Sequence, residues 1–328
     1  MCLDQILEVR IMFSKTFVHN EKRVSLLKEL IRKRGFVKVL EVHNGLSALI
    51  VDNFQLVEKG RTLSFDGLWE SSLTDSASKG LPDIEVVSHD SRLDTINQIL
   101  EVTGKPMIVD GDTGGDVNHF EYLVKRLIRA GVSMVIIEDK VFPKRNSLVD
   151  TKQSLEDQNI FAEKIRRGVQ VKQKRAFMIV ARLESLIAGE TVADALRRAK
   201  IFLSAGADGI MIHSKSSTPS EILEFAKKYY QLPKKLIKNK VLVCAPTTYN
   251  TITADELAKA GFQVIIYANH MLRSAYTAME KTCEIILLND RSFEVNVVCG
   301  PVASLFEVTG LLAITQKENE QHDKSKQT

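Results

Sequence analysis

The chain has 328 residues and a formal net charge of +4, with 44% hydrophobic and 26% charged residues, proportions ordinary for a soluble globular protein. The small charge, carried by dispersed basic residues, excludes a nucleic-acid-binding footprint, and no apolar run approaches the ~18 residues that a membrane span needs. Cys2, Cys244, Cys283 and Cys299 lie far apart with no CxxC pair, which indicates reduced thiols in a cytoplasmic protein rather than a disulfide framework or a zinc site. Asp4, Glu8 and Arg10 interrupt the N-terminal apolar residues, so the uninterrupted core of a signal peptide is lacking there.

Residues 21–34 place Leu26, Leu27, Leu30 and Ile31 on one face, with basic residues in the last turn and Gly35 beyond. That pattern predicts a helix with a glycine stop. From Phe36 onward short apolar runs recur at Phe36–Val42, Phe65–Trp69, Pro106–Val109, Met134–Ile137, Phe177–Ala181, Gly209–Ile212, Val241–Val243 and Val264–Tyr267. Stretches of helical period separate most of them, as at Phe120–Ala130, Asp157–Arg167, Val192–Ala205 and Ala254–Ala260. Such alternation predicts a parallel sheet covered by helices, and eight units predict a closed (β/α)8 barrel of the TIM type. No GxGxxG follows the first strand, which counts against an open dinucleotide-binding sheet. A single barrel domain is expected over 1–315, with a surface excursion between Ile50 and Phe65 and a further helix within about 290–315. The polar stretch 316–328 is expected to be a disordered tail.

The run Val132–Ile137 ends abruptly in Glu138-Asp139-Lys140, and the helical pattern resumes only near Gln153. That loop exceeds the two to six residues or so usual between strand and helix. With an acid at its base and then Lys144, Asn146 and Ser147, it is equipped as a lid over an anion. The ends of the other strands are equally polar. The second leads to Trp69, Ser71 and Asp83, the third to Asp110 and Asp112, the fourth to Glu138, and the fifth to Arg182 and Glu184. His213 and Ser214 follow the sixth, Thr247 and Thr248 the seventh, Asn269 and His270 the eighth. Taken singly, each is an ordinary satisfied polar group; in a barrel they converge on the rim where catalysis is found. Asp110, Asp112 and Glu138 offer hard oxygen ligands suited to Mg²⁺. Arg182, His213 and Lys144 would face an anion beside it. Asp116 reads as a helix cap.

With these pieces assembled, residues 24–310 resemble the phosphoenolpyruvate mutase branch of the isocitrate lyase superfamily. The matching stretches are VKVLEVHNGLSA, FDGLWESSLTDSASKGLPD, VDGDTG, IIEDKVFPKRNSL, IVARLES, GADGIMIHSK and VIIYANHMLR. The resemblance implies an α/β barrel that binds Mg²⁺, exchanges a C-terminal helix between partners, forms tetramers, and interconverts phosphoenolpyruvate and phosphonopyruvate. It implies that Asp110 holds the metal, with Asp112 and Glu138 on its waters. Ser71 and the amides around Ser72 and Leu73 would take the substrate carboxylate beside Trp69. Asp83 would lie near the phosphorus, as nucleophile or as positioning carboxylate, while Arg182 and His213 stabilise charge. Lys144, Asn146, Ser147 and Leu148 would form the gate. A draining partner enzyme such as a phosphonopyruvate decarboxylase is expected, because forming phosphonopyruvate is uphill.

Three other readings have distinct signatures. A phosphonopyruvate hydrolase on this scaffold resembles the mutase but carries threonine at the place of Asn146. C–C lyases of the isocitrate or methylisocitrate type carry a cysteine in the lid, where this chain reads Lys144-Arg145-Asn146-Ser147. A non-catalytic metabolite-binding barrel would have lost some of Asp83, Asp110, Lys144 or Arg182. Two stretches depart from the family pattern: TGGDVN after Asp112, and the excursion at 51–63.

Overall fold

The computed structural model describes residues 8–11 and 18–326. Its strands are β1 (Glu8–Ile11), β2 (Val37–Glu41), β3 (Phe54–Glu58), β4 (Arg61–Leu63), β5 (Gly67–Glu70), β6 (Met107–Asp110), β7 (Met134–Glu138), β8 (Met178–Leu183), β9 (Gly209–Ile212), β10 (Val241–Cys244) and β11 (Val264–Tyr267). Eight of them close into a parallel barrel in the order β10-β11-β2-β5-β6-β7-β8-β9. The predicted TIM-type architecture is therefore present, and the eight expected strands all form, with ends shifted by up to two residues.

Alternation along each strand divides the core in two. Val39, Ile108, Ile136, Val180 and Val264 pack inside the barrel with Trp69. Leu68, Val109, Val135, Ile179 and Ile265 face the surrounding helices. Those helices are α1 (Asn20–Arg34), α2 (Gly45–Asn53), α3 (Ser72–Ser78), α4 (His89–Val102), α5 (Val117–Ala130), α6 (Gln158–Lys172), α7 (Val192–Ser204), α8 (Ser220–Tyr229), α9 (Lys234–Ile237) and α10 (Ala254–Lys259). Asp116 caps α5, its side chain accepting from the Asn118 and His119 amides, as the sequence indicates.

The excursion after Ile50 is not a loop. It completes α2, then forms the β3–β4 hairpin, which pairs with β1 in a small antiparallel sheet outside the barrel. Lys59 and Gly60 turn the hairpin with positive φ values of 48° and 75°, the twist that two-residue hairpins prefer. Beyond the barrel come α11 (His270–Asn289), a 3₁₀ turn (Phe293–Val297), α12 (Val302–Thr309) and α13 (Leu311–Lys326). The stretch expected to be a disordered tail is thus helical to Lys326. After Gly310 it contains neither glycine nor proline and is rich in Lys, Glu and Gln, residues that favour a helix even where nothing is buried. Cys2 and Asp4 lie outside the described residues.

Candidate active site

The rim residues owe their placement to strand register. Across β7 and β8, Glu138 stands opposite Arg182, while Asp110 ends β6 beside Ile136. Gly111 lets the chain lie close against β7 there: a Cβ would lie 2.8 Å from Ile137 Cγ2 and 2.9 Å from Val135 Cγ2. Asp112 follows with φ of 51°, its amide donating to Asp110 Oδ1 at 3.1 Å. The Asp110 carboxylate is therefore tied to the backbone of Asp112 within the DGD run.

Most of the predicted residues line one small cavity of about 70 Å³ at this rim. Its walls include Trp69, Ser71, Leu73, Asp83, Asp110, Lys144, Asn146, Ser147, Leu148, Arg182 and His213. Ser214, Thr247, Thr248 and Asn269 also line it, while His270 stays outside. Ser72, Asp112 and Glu138 lie just behind the wall, all nearly inaccessible. Ser72 connects the layers: its Oγ donates to Asp110 Oδ2 at 3.0 Å and receives Lys144 Nζ at 2.7 Å. A larger surface cleft of about 960 Å³ between α1, α4 and α5 contains none of the predicted residues.

The loop after β7 is folded down over the cavity. Asn146 Nδ2 donates to Asp83 Oδ2 at 2.6 Å, and Asn146 Oδ1 receives the Leu148 amide at 2.9 Å. Lys144 Nζ lies 3.0 Å from Asp83 and 2.7 Å from Asp112. Burial opposes the charge on Lys144, but Asp112, Glu138, Asp110 and Asp83 together raise its pKa well above normal. Arg182 Nη2 stands 2.7 Å from Glu138, and its Nη1 3.6 Å from Asp110. The lid and β8 thus bring the two cations that the sequence pointed to against the three acids that it grouped.

Among the described residues, no three His, Cys, Asp or Glu side chains stand in a ready-made metal arrangement; Lys144 and Arg182 intervene. Even so, the acids exceed the donors around them. Both Glu138 oxygens are buried without a hydrogen bond, the Arg182 contact being an ion pair without hydrogen-bond alignment. Burial raises the Glu138 carboxyl to about 7, against the pull of Arg182 and Lys144. For Asp112 the balance goes the other way: burial is outweighed by Arg92 and Lys144, and the group stays ionised. Burial also holds the His213 imidazole below its usual value, although Glu184 pulls the other way.

Sequence reasoning missed the supports of this site. Arg92, on α4, places Nη2 2.9 Å from Asp112 and donates to the Asp110 carbonyl. The available signal was its spacing, since Arg92 shares the buried stripe of Thr95, Ile96 and Ile99, an odd place for an arginine without a partner. Glu70, Asp75 and Lys140 are likewise ionisable and buried. Glu85, at φ of 63°, accepts from the Thr113 amide and hydroxyl and from the Lys144 amide, so it ties the lid to the loop after β6.

Known proteins share this arrangement of chain. A family profile described as phosphoenolpyruvate phosphomutase matches residues 27–287. The phosphoenolpyruvate phosphomutase of Tetrahymena pyriformis is 36% identical over 299 residues, covering 90% of this chain and 94% of the relative. The crystal structure of a phosphoenolpyruvate phosphomutase from Streptomyces platensis subsp. rosaceus superposes with a TM-score of 0.81 at 34% identity, covering 90% of this chain and 98% of that one. A phosphonopyruvate hydrolase solved with oxalate and Mg²⁺ follows at a TM-score of 0.78 and 30% identity, with coverage of 90% and 98%. The rim of polar strand ends, the folded lid and these likenesses agree: the chain belongs to the phosphoenolpyruvate phosphomutase family, a family of isomerases.

Proposed function

We propose that this protein is a phosphoenolpyruvate mutase, moving a phosphoryl group between the enol oxygen of phosphoenolpyruvate and C3 of 3-phosphonopyruvate. The observation that carries the proposal is the Asn146–Asp83 hydrogen bond beneath a folded lid. It places an amide rather than a hydroxyl against the carboxylate expected next to the phosphorus.

The residues divide the work. Ser71, with the amides around Ser72 and Leu73, receives the substrate carboxylate beside Trp69. Asp83, aligned by Asn146 and Lys144, stands against the phosphorus, as transient nucleophile or as positioning carboxylate. Arg182 and His213 offset charge on the phosphoryl oxygens and the enolate. Phosphoryl transfer passes through a loose transition state, so positioning and charge stabilisation supply most of the catalysis. Water is the competing acceptor, and the lid formed by Lys144, Asn146, Ser147 and Leu148 excludes it.

The acids fit a Mg²⁺ ion by their chemistry: they are all oxygen donors, and Glu138 is buried without a hydrogen bond. Asp110 would bind the ion directly, with Asp112 and Glu138 holding its waters. When bound, the cation would neutralise charge on the substrate oxygens. The relative solved with oxalate and Mg²⁺ supports this assignment.

The same reading extends to the cellular setting: a cytoplasmic enzyme, a homotetramer assembled by exchange of the C-terminal helices, and a phosphonopyruvate decarboxylase that drains the product. Exposed apolar residues on the C-terminal segment, among them Leu287, Leu288, Phe293 and Val297, support assembly, because so much unburied apolar surface marks an interface. Phosphonopyruvate hydrolysis is the alternative that the relatives keep in view.

The decisive experiment follows ³¹P signals on adding phosphonopyruvate and Mg²⁺ to the purified protein, with Asn146→Thr alongside. Conversion to phosphoenolpyruvate without inorganic phosphate is expected. Phosphate as the main wild-type product would make the protein a hydrolase, and no conversion with or without a chelator would remove the enzymatic reading of this rim.

A further inference from the structure

One buried carboxylate next to the cavity has no part in the roles above. Glu184 lies just past the end of β8, two residues beyond Arg182. It is fully buried and does not line the cavity. It gathers donors from four places. Ser147 Oγ, on the lid, lies at 2.7 Å, and His213 Nδ1, after β9, also at 2.7 Å. Lys140 Nζ, at the foot of the lid, is 3.1 Å away, and Arg182 Nε donates from β8. The Glu184 backbone is fixed too, its amide donating to Asp139 Oδ1 at 2.8 Å.

The directions of these hydrogen bonds follow from charge. Burial opposes ionisation of Glu184, but Arg182, His213 and Lys140 together hold its pKa well below the carboxylate range. An ionised carboxylate only accepts. The Ser147 hydroxyl must therefore give its single proton to Glu184. Its oxygen in turn accepts from Lys140 Nζ at 2.6 Å and from Arg182 Nη2 at 3.2 Å. A hydroxyl has one donor and two acceptor positions, and all three are committed. Although Ser147 lines the cavity, its side chain has no donor left for a ligand. Lys140 Nζ also donates to the Arg145 carbonyl at 2.9 Å, so the same ammonium grips the lid backbone. His213, by the same argument, carries its proton on Nδ1, which fixes the ring orientation at the cavity wall.

We propose that Glu184 is a positioning residue of the reaction: its carboxylate latches the lid through the Ser147 hydroxyl and Lys140, and holds Arg182 and His213 at the cavity. The Ser147 side chain accordingly belongs to the latch and not to the substrate. The proposal deepens the mutase reading and rests on it for its consequence, which is exclusion of water.

The latch itself can be read without turnover, by limited trypsin digestion of the full-length protein. Arg145 is exposed, and its carbonyl is the one that Lys140 holds. Cleavage after Arg145, quantified by mass spectrometry, should be about tenfold faster or more in Glu184→Gln and in Ser147→Ala, because cleavage follows local opening. The double variant should be no faster than the faster single one, since both remove the same latch. In the ³¹P assay, Glu184→Gln should release several-fold more inorganic phosphate per mutase turnover than the wild type.

Equal cleavage of wild type and a natively folded Glu184→Gln would overturn the proposal, as would additive acceleration in the double variant. If Glu184→Gln does not fold, Ser147→Ala decides, and unchanged lid cleavage there overturns the latch. Faster lid cleavage combined with no mutase activity in the wild type would sustain the latch while refuting the mutase reading.

Discussion

On the β5–β7 side of the rim, Glu70, Asp75 and Asp112 draw on Arg92 and the Lys144 ammonium, and Asp110 and Glu138 on Arg182 reaching across from β8, whereas on the β8–β9 side Arg182, His213 and Lys140 all close on Glu184. All of these carboxylates are buried, so loss of water acts on each in the same direction. What differs is the number of donors each one has. Burial raises Glu70 to about 8 and Glu138 to about 7, while Glu184 is held well below the normal range by its three partners. The nearest cation to Glu70 is Arg92 at 3.9 Å, which is shared with Asp75 at 3.7 Å and Asp112 at 2.9 Å. One half of the rim is short of positive charge and suits a divalent cation. The other brings four donors to a single carboxylate and suits an anion.

The largest effect should come from removing a cation where cations are scarce. Arg92→Met leaves several buried acids sharing what remains, and breaking a buried charge network in this way costs about 3–5 kcal/mol. Lys140→Met, on the other side, leaves Glu184 with Arg182, His213 and Ser147, so the cost should be nearer the ~1–3 kcal/mol of a lost buried hydrogen bond. Urea denaturation of the two variants side by side measures the contrast, and equal losses would erase the distinction between the halves.

That contrast also marks how far the sequence could be read. The barrel was legible because its strands are short apolar runs, several of which carry a polar residue at or near the C-terminal end, as in MVIIE and MIVARL. The centre of the site was legible for the same reason, since Asp110, Glu138 and Arg182 end or nearly end their strands. Arg92, Glu70 and Lys140 were not legible, because their function depends on partners distant in sequence. Nothing near Arg92 announces that Asp112 stands 2.9 Å away. The outer sheet was missed because β1 and the β3–β4 hairpin are too short and mixed in polarity to stand out. The helix α13 was not legible because a polar composition fits disorder as well as an exposed helix, although Lys, Glu and Gln are good helix formers.

The acid-rich half should also give the protein a pH dependence of definite sign. Below about pH 4.5, Glu70 is protonated whether the chain is folded or unfolded, and it contributes nothing. Between there and about 8 the unfolded chain has lost the proton while the folded one retains it. Each pH unit upward should therefore cost the folded state about 1 kcal/mol from this residue, a loss that stops growing above the folded pKa. Glu70→Gln should flatten that part of the stability curve, measured by denaturation at pH 5, 6, 7 and 8. An unchanged slope would mean that Glu70 is ionised in the folded protein, and that this half is less starved of cations than its geometry indicates.

The smallest effect tests whether scarcity matters at the solvent edge. Lys79 pairs with the buried Asp75 and donates to Thr95 Oγ1 at 2.8 Å, but about a quarter of its side chain is exposed. Water and salt can therefore replace much of what it supplies. Asp75 also keeps the Thr95 hydroxyl at 2.8 Å, so it is not left bare. Lys79→Met should cost about 1 kcal/mol or less, in keeping with solvent-screened pairs, and the cost should shrink further as salt is raised. A salt-independent loss as large as that of Arg92→Met would show that the shortage of positive charge extends beyond the buried centre to the exposed end of α3.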